Sequence, residues 1–226
     1  MFTGIIEQLG KVSKIEAISG GKGITLTIGC SLSHVTVGES IAVEGICLTV
    51  IAKKQKGKKT DFTVDVGEET LRKSTAGNFR AGCAVNLERS LKASTKLGGH
   101  FVQGHVDAAG TIIKIVPEGN SKLFYFSYPK VLEPYMIPKG SISVDGISLT
   151  LAEINNNSFA VSIIPFTEKN TSLGSKKEGD HVNLEADILA KVVARQVELF
   201  LRKDKNKPPD ELYQKKTLSW EDMEIL

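Results

Sequence analysis

No stretch of about 18 consecutive apolar residues occurs in this 226-residue chain, which excludes a membrane-spanning helix. Cysteine is scarce. Cys30, Cys47 and Cys83 are odd in number and form no CxxC pair. A disulfide framework is therefore not expected, and a reducing compartment is. The opening Met-Phe-Thr-Gly-Ile-Ile-Glu has neither the basic head nor the apolar core of a secretory signal, so a cytoplasmic location is expected. HExxH is absent and His100 and His105 make no zinc pattern, so no metal is expected. GxGxxG and P-loop motifs are absent, so no nucleotide-phosphate cradle is expected. There is no GxSxG elbow for a hydrolase serine. A net charge of +3 gives no bulk attraction for nucleic acid, and no basic stripe alternates with aromatics. The dense run Lys53, Lys54, Lys56, Lys58 and Lys59 reads as a solvated hairpin tip.

What is present is a duplication. SIAVEGICLTV, from Ser40 to Val50, returns as SISVDGISLTL, from Ser141 to Leu151. Gly4 and Gly10 match Gly104 and Gly110. Phe62, Thr70 and Asn86-Leu87-Glu88 match Phe159, Thr167 and Asn183-Leu184-Glu185. The order is kept, so the chain is two copies of one unit and a tail. Two copies are too few for a solenoid, and each is expected to close on itself.

Each copy reads as β. Gly23 to Cys30 alternates, with Ile24, Leu26, Ile28 and Cys30 on one side. Corresponding runs in the second copy are Ile112 to Val116, Leu123 to Tyr128, Ile142 to Leu151 and Phe159 to Ile164. Turns are expected at Ser19-Gly20-Gly21, Glu118-Gly119-Asn120 and Asn155-Asn156-Asn157. A short helical turn is expected at Glu68 to Ser74. Such spacing predicts a small barrel or sandwich. From Asp187, Ile188, Leu189, Val192, Val193, Val197 and Phe200 recur at helical spacing, to an end near Lys203. That stripe packs either on its own barrel or on another copy. Asn206 to Leu226 is polar and is expected to hang loose. The expected division is 1–97, 98–186 and 187–226.

Positions that differ between the copies mark divergent roles. Cys47 faces Ser148, Glu44 faces Asp145 and Ile5 faces His105, whereas Thr49 and Thr150 agree. A strand cysteine is commonly a small core residue. A Ser148–His105–Asp145 triad is chemically possible but lacks an elbow.

MFTGII, GICLTV with DGISLT, GGHFVQGHVD, ETLRKST, NLERS and VNLEAD together resemble riboflavin synthase, from Met1 to about Arg202. The resemblance implies an all-β fold with a C-terminal helix: two tandem, similar six-stranded antiparallel Greek-key barrels. It implies a homotrimer held by its helices, with active sites between subunits, and no cofactor. The implied reaction is dismutation of two 6,7-dimethyl-8-ribityllumazine molecules by transfer of a four-carbon unit. The implied catalytic residues are Cys47, His105, Asp145, Ser148 and Thr150. His105 would move protons, Ser148 and Thr150 would hold a nucleophile or the ring, Asp145 would orient them, and Cys47 would assist from across the interface.

The implied substrate-binding positions in barrel one are Gly4-Ile5-Ile6, Ser40, Cys47-Leu48-Thr49, Asp65-Val66-Gly67 and Thr70. In barrel two they are Gly104-His105-Val106, Lys139, Ser148-Leu149-Thr150 and Ile164-Pro165-Phe166-Thr167-Glu168-Lys169. Phe166 stands where many of the family carry an acidic residue, while barrel one keeps Glu69 before Thr70. A non-catalytic lumazine or flavin carrier is the alternative reading.

Overall fold

A computed structural model describes residues 1–18 and 20–204. Ser19 of the first expected turn and the tail from Asn206 onward lie outside the described residues. The chain divides into a compact unit, Met1–Lys191, and a second unit beginning at Val192.

The first barrel comprises β1 (Gln8–Ala17), β2 (Gly23–Cys30), β3 (Ser40–Val43), β4 (Ile46–Lys56), β5 (Lys59–Gly67) and β6 (Ala84–Arg89). Its order, β1-β2-β5-β4-β3-β6, closes through the β6–β1 pair, and every pairing is antiparallel. Strand alternation explains the closure. Leu26, Ile28, Phe62, Val64, Val66, Val85 and Leu87 point inward and are fully buried, and their neighbours point outward.

The second barrel comprises β7 (Ala108–Glu118), β8 (Ser121–Ser127), β9 (Ser141–Val144), β10 (Ile147–Thr150), β11 (Glu153–Asn155), β12 (Ser158–Ile163) and β13 (His181–Ala186). Its order is β10-β9-β13-β7-β8-β12-β11. The outer strands β10 and β11 are together the counterpart of β4, interrupted at Leu151-Ala152. The Ala152 N–H still donates to the Ala160 carbonyl at 2.8 Å. The second sheet therefore stays open, a half-barrel whose two edges are the halves of the broken strand. Its core is aromatic, with Phe126 stacked on Phe159 at 5.2 Å between ring centres.

One expectation is corrected. Ile142 to Leu151 is two strands, not one. β9 and β10 form a hairpin about Asp145 and Gly146, whose φ values of 49° and 81° are both positive. Glu44 and Gly45 turn likewise between β3 and β4. Two successive left-handed residues twist as a two-residue hairpin requires, and acidic-residue-Gly pairs suit it.

Helices α1 (Glu68–Lys73) and α2 (Pro165–Asn170) follow β5 and β12 at equivalent places. Helix α3 spans Ile188–Asp204. Its Leu189, Val192, Val193, Val197 and Phe200 are 50–62% exposed, an apolar stripe left uncovered. No helix among the described residues is long and apolar enough to cross a membrane.

Candidate active site: two crossed half-sites

The segments that lead into the two barrels cross over. Phe2 and Val102 bridge each other, with N–H···O distances of 2.6 and 3.1 Å. Gly4, ahead of barrel one, packs on barrel two, and its carbonyl accepts from Ser148 N at 2.8 Å. Gly104, ahead of barrel two, packs on barrel one, and its carbonyl accepts from Cys47 N at 2.8 Å. Approach this close requires glycine. A Cβ on Gly4 would lie 2.6 Å from the Ser148 Cβ, and one on Gly104 would lie 2.6 Å from the Cys47 Cβ. Both glycines also have positive φ.

The crossing corrects the grouping expected from the sequence. Gly104-His105-Val106 belongs with Cys47 of barrel one, and Gly4-Ile5 belongs with Ser148 of barrel two. The first half-site is a cleft of about 330 Å³ lined by Ile46 and Cys47 of β4, Glu69, Thr70 and Lys73 of α1, and Gly104-His105-Val106. That volume lies at the small end of ligand pockets. Cys47 is half-buried at its wall, and His105 is exposed at its mouth.

In the second half-site the partner of Ser148 differs from expectation. Ser148 Oγ lies 2.7 Å from Nδ1 of His100, not of His105. Burial holds the His100 imidazole below its usual pKa, while the Asp187 charge opposes this. His100 is therefore neutral at physiological pH, and in the Nε2–H tautomer its Nδ1 accepts the Ser148 proton. His100 lies ahead of the first internal match, Gly4 with Gly104, so comparing the two copies does not single it out.

Asp145 is also placed differently from its expected role. It is fully buried in the hairpin turn. Its Oδ1 accepts from Asn183 N at 2.8 Å, and its Oδ2 lies 2.7 Å from Lys176 Nζ. It therefore faces the interface between the barrels rather than orienting Ser148 or Thr150. Glu44 sits equivalently, accepting from Asn86 N at 2.6 Å and lying 3.4 Å from the same lysine. Asn86 Nδ2 donates to the Asp145 carbonyl and Asn183 Nδ2 to the Glu44 carbonyl. These reciprocal bonds give the two barrels a pseudo-twofold relation.

The remaining candidates sort by face. Thr49 pairs with Ser40 and Thr150 with Ser141 in register, on the outward faces of β4 and β10. Leu48, Leu149 and Val66 point into the cores and can offer only backbone. Asp65 is already engaged, accepting from Thr25 Oγ1 at 2.6 Å. Thr70 and Thr167 are half-buried on α1 and α2, and Gly67 is exposed ahead of α1. Ile164, Pro165 and Phe166 are exposed, Phe166 to 74%. Glu168 pairs with Lys122, Lys169 is exposed, and Lys139 is exposed with a φ of 63°. Ile6 packs against the second core. Among the described residues no three His, Cys, Asp or Glu side chains gather as a metal site.

Fold and site together define a duplicated antiparallel-barrel protein with two related but chemically unlike half-sites. Residues 3–90 and 103–187 each match the Lumazine binding domain family. The chain is 44% identical to riboflavin synthase of Actinobacillus pleuropneumoniae over 211 residues, 93% of either chain. It is 43% identical to that of Mycobacterium tuberculosis over 198 residues, 86% of this chain and 97% of the other. The fold is similar to that of LumP complexed with 6,7-dimethyl-8-(1'-D-ribityl) lumazine and of LumP complexed with riboflavin. Those similarities have TM-scores of 0.71 and 0.72, at 24% identity over 82% of this chain and 99% of LumP. The chain belongs to the riboflavin synthase family.

Proposed function

We propose that the chain catalyses dismutation of two 6,7-dimethyl-8-ribityllumazine molecules. One gives four carbons to the other, leaving riboflavin and 5-amino-6-(D-ribitylamino)uracil. The four carbons lost by the donor are those gained by the acceptor, so the exchange balances without an oxidant. The observation that carries the reading is the pair of unlike half-sites in one chain. Identical molecules must take opposite roles, and Cys47 with His105 is a different environment from Ser148 with His100.

The chemistry asks mostly for alignment. The substrate's C7 methyl is acidic because its anion spreads over the ring. Holding two rings face to face removes much of the entropic barrier, worth up to about 7–11 kcal/mol when orientation is good. In the second half-site, neutral His100 accepts the Ser148 proton, which activates that hydroxyl or a water beside C7. In the first, His105 and Cys47, which line one cleft, would take up the methyl proton. The strand backbones beside Cys47 and Ser148 offer donors and acceptors to the pyrimidine edge. Thr49, Thr150, Ser40, Thr70 and Thr167 add side-chain contacts.

Helix α3 takes a second copy of the chain along its exposed stripe, giving a homotrimer. Each reacting pair then forms between a first half-site of one subunit and a second half-site of another. A cytoplasmic protein with three unpaired thiols fits this assignment.

Purified protein incubated with 6,7-dimethyl-8-ribityllumazine alone tests the function. One riboflavin per two lumazines consumed, followed by chromatography, is the expected result. Tight binding without turnover would assign the chain to the carrier class instead.

A further inference from the structure

We propose that Glu88 and Glu185 are positioning residues, each gripping the crossing segment that completes the half-site on the opposite barrel. This rests on the dismutase reading and adds two residues to it. Glu88, on β6 of barrel one, accepts from Thr3 N and Thr3 Oγ1 at 2.6 Å each through Oε1, and from Gly4 N at 2.9 Å through Oε2. Glu185, on β13 of barrel two, accepts from Gln103 N at 2.7 Å and Gly104 N at 2.9 Å. In both places successive backbone N–H groups converge on one carboxylate, an anion-binding nest. Both glutamates are buried. A carboxylate is the one common side chain that offers two acceptor oxygens and no donor.

What hangs from the gripped residues is the chemistry. The Thr3 carbonyl accepts from His100 N at 3.1 Å, and the Gly4 carbonyl accepts from Ser148 N at 2.8 Å. Glu88 therefore sets both members of the His100–Ser148 pair without touching either. The Gly104 carbonyl accepts from Cys47 N, and His105 follows Gly104 in the chain. Glu185 therefore sets the wall of the first half-site. Burial is the largest influence on either carboxyl and raises it, Glu185 to about 7. The charges around Glu185 are Lys191, which opposes the rise, and Asp107, which adds to it. Lys191 and Asp107 are themselves paired at 2.6 Å. An apolar residue at either place would leave these converging N–H groups without an acceptor, so the carboxylate is what holds the segment in this position.

The test uses Glu88→Gln, Glu88→Ala, Glu185→Gln and Glu185→Ala in the full chain. Three quantities are measured: kcat, KM and the alkylation rate of Cys47 by iodoacetamide, located by peptide mass. A displaced segment lowers kcat by roughly tenfold to a hundredfold, since misplacement near 1 Å has that effect. KM moves much less, and Gln falls between wild type and Ala. The Glu185 variants alkylate Cys47 several-fold faster, and the Glu88 variants alkylate it at the wild-type rate. Unchanged Cys47 alkylation in folded Glu185→Ala, or equal acceleration in both series, overturns the proposal. Faster alkylation with wild-type turnover leaves the grip standing and removes Cys47 and His105 from the reaction. If the Ala variants do not fold, the isosteric Gln variants decide.

Discussion

Replacing Lys176 with Met tests the interface between the barrels. Lys176 Nζ lies 2.7 Å from Asp145 and 3.4 Å from Glu44, and these carboxylates are 0% and 2% exposed. Three charges share this site. Burial first, then the Asp145 charge, pushes Glu44 up to about 8, with Lys176 opposing. Glu44 therefore holds a proton at neutral pH. Burial also raises Asp145, and the Lys176 ammonium at 2.7 Å is the largest influence opposing that rise. Removing one partner of a buried pair costs about 3–5 kcal/mol. Because Glu44 is already neutral, the lower end applies, and Tm should fall by roughly 6–12 °C for a unit of this size. The pH dependence carries a sign. A carboxyl whose folded pKa is raised stabilises fully below its unfolded value of 4.5 and loses that contribution as pH rises through about 8. In the variant, Asp145 also loses its cation and follows the same rule. The Tm deficit should therefore be widest at about pH 8 and should narrow on acidification, as the two carboxyls take up protons. Thermal melts by circular dichroism at several pH values measure it. A Tm within about 2 °C of wild type at pH 8, or a deficit that widens on acidification, would refute the reasoning.

Other consequences follow from particular contacts. Among the described residues the buried Thr75 hydroxyl has no hydrogen-bond partner, whereas its counterpart Ser172 reaches Glu44 at 3.2 Å. Thr75→Val should therefore change unfolding free energy by less than about 1 kcal/mol or stabilise, measured by urea denaturation. His100 is held below 6.5 by burial, so the acid limb of kcat/KM that reports it should lie below that value. His100→Gln should lower turnover by about 10²-fold or more and abolish that limb. Gly104→Ala places a Cβ 2.6 Å from the Cys47 Cβ at a φ of +80°. It should open the first half-site and lower lumazine affinity there about tenfold or more, seen by ligand fluorescence.

Much of the fold was legible because a duplication repeats its own signal. Alternation from Gly23 to Cys30 matched β2, and the helical spacing after Asp187 matched α3. The Asp145-Gly146 hairpin went unread because apolar residues flank it closely enough to imitate one strand. Which barrel each leading segment packs on was not legible either. An internal match says that Gly4 and Gly104 are equivalent, but not that they exchange partners. That exchange is decided by long-range bonds to Ser148 and Cys47, which leave no periodicity. Of the site, the divergent positions Cys47, His105 and Ser148 stood out. His100, Glu88 and Glu185 did not: the first lies ahead of the matched segments, and the glutamates are identical in both copies.

On the proposed reading, two unlike half-sites from different subunits make one reaction centre. The most direct test mixes two inactive variants, Cys47→Ala and Ser148→Ala, by co-refolding in equal amounts. Random assortment in a trimer leaves both halves of a given site intact about one time in four. The account predicts recovery of about a quarter of wild-type riboflavin formation, from proteins that have almost none alone. No recovery from folded, mixed oligomers would contradict it.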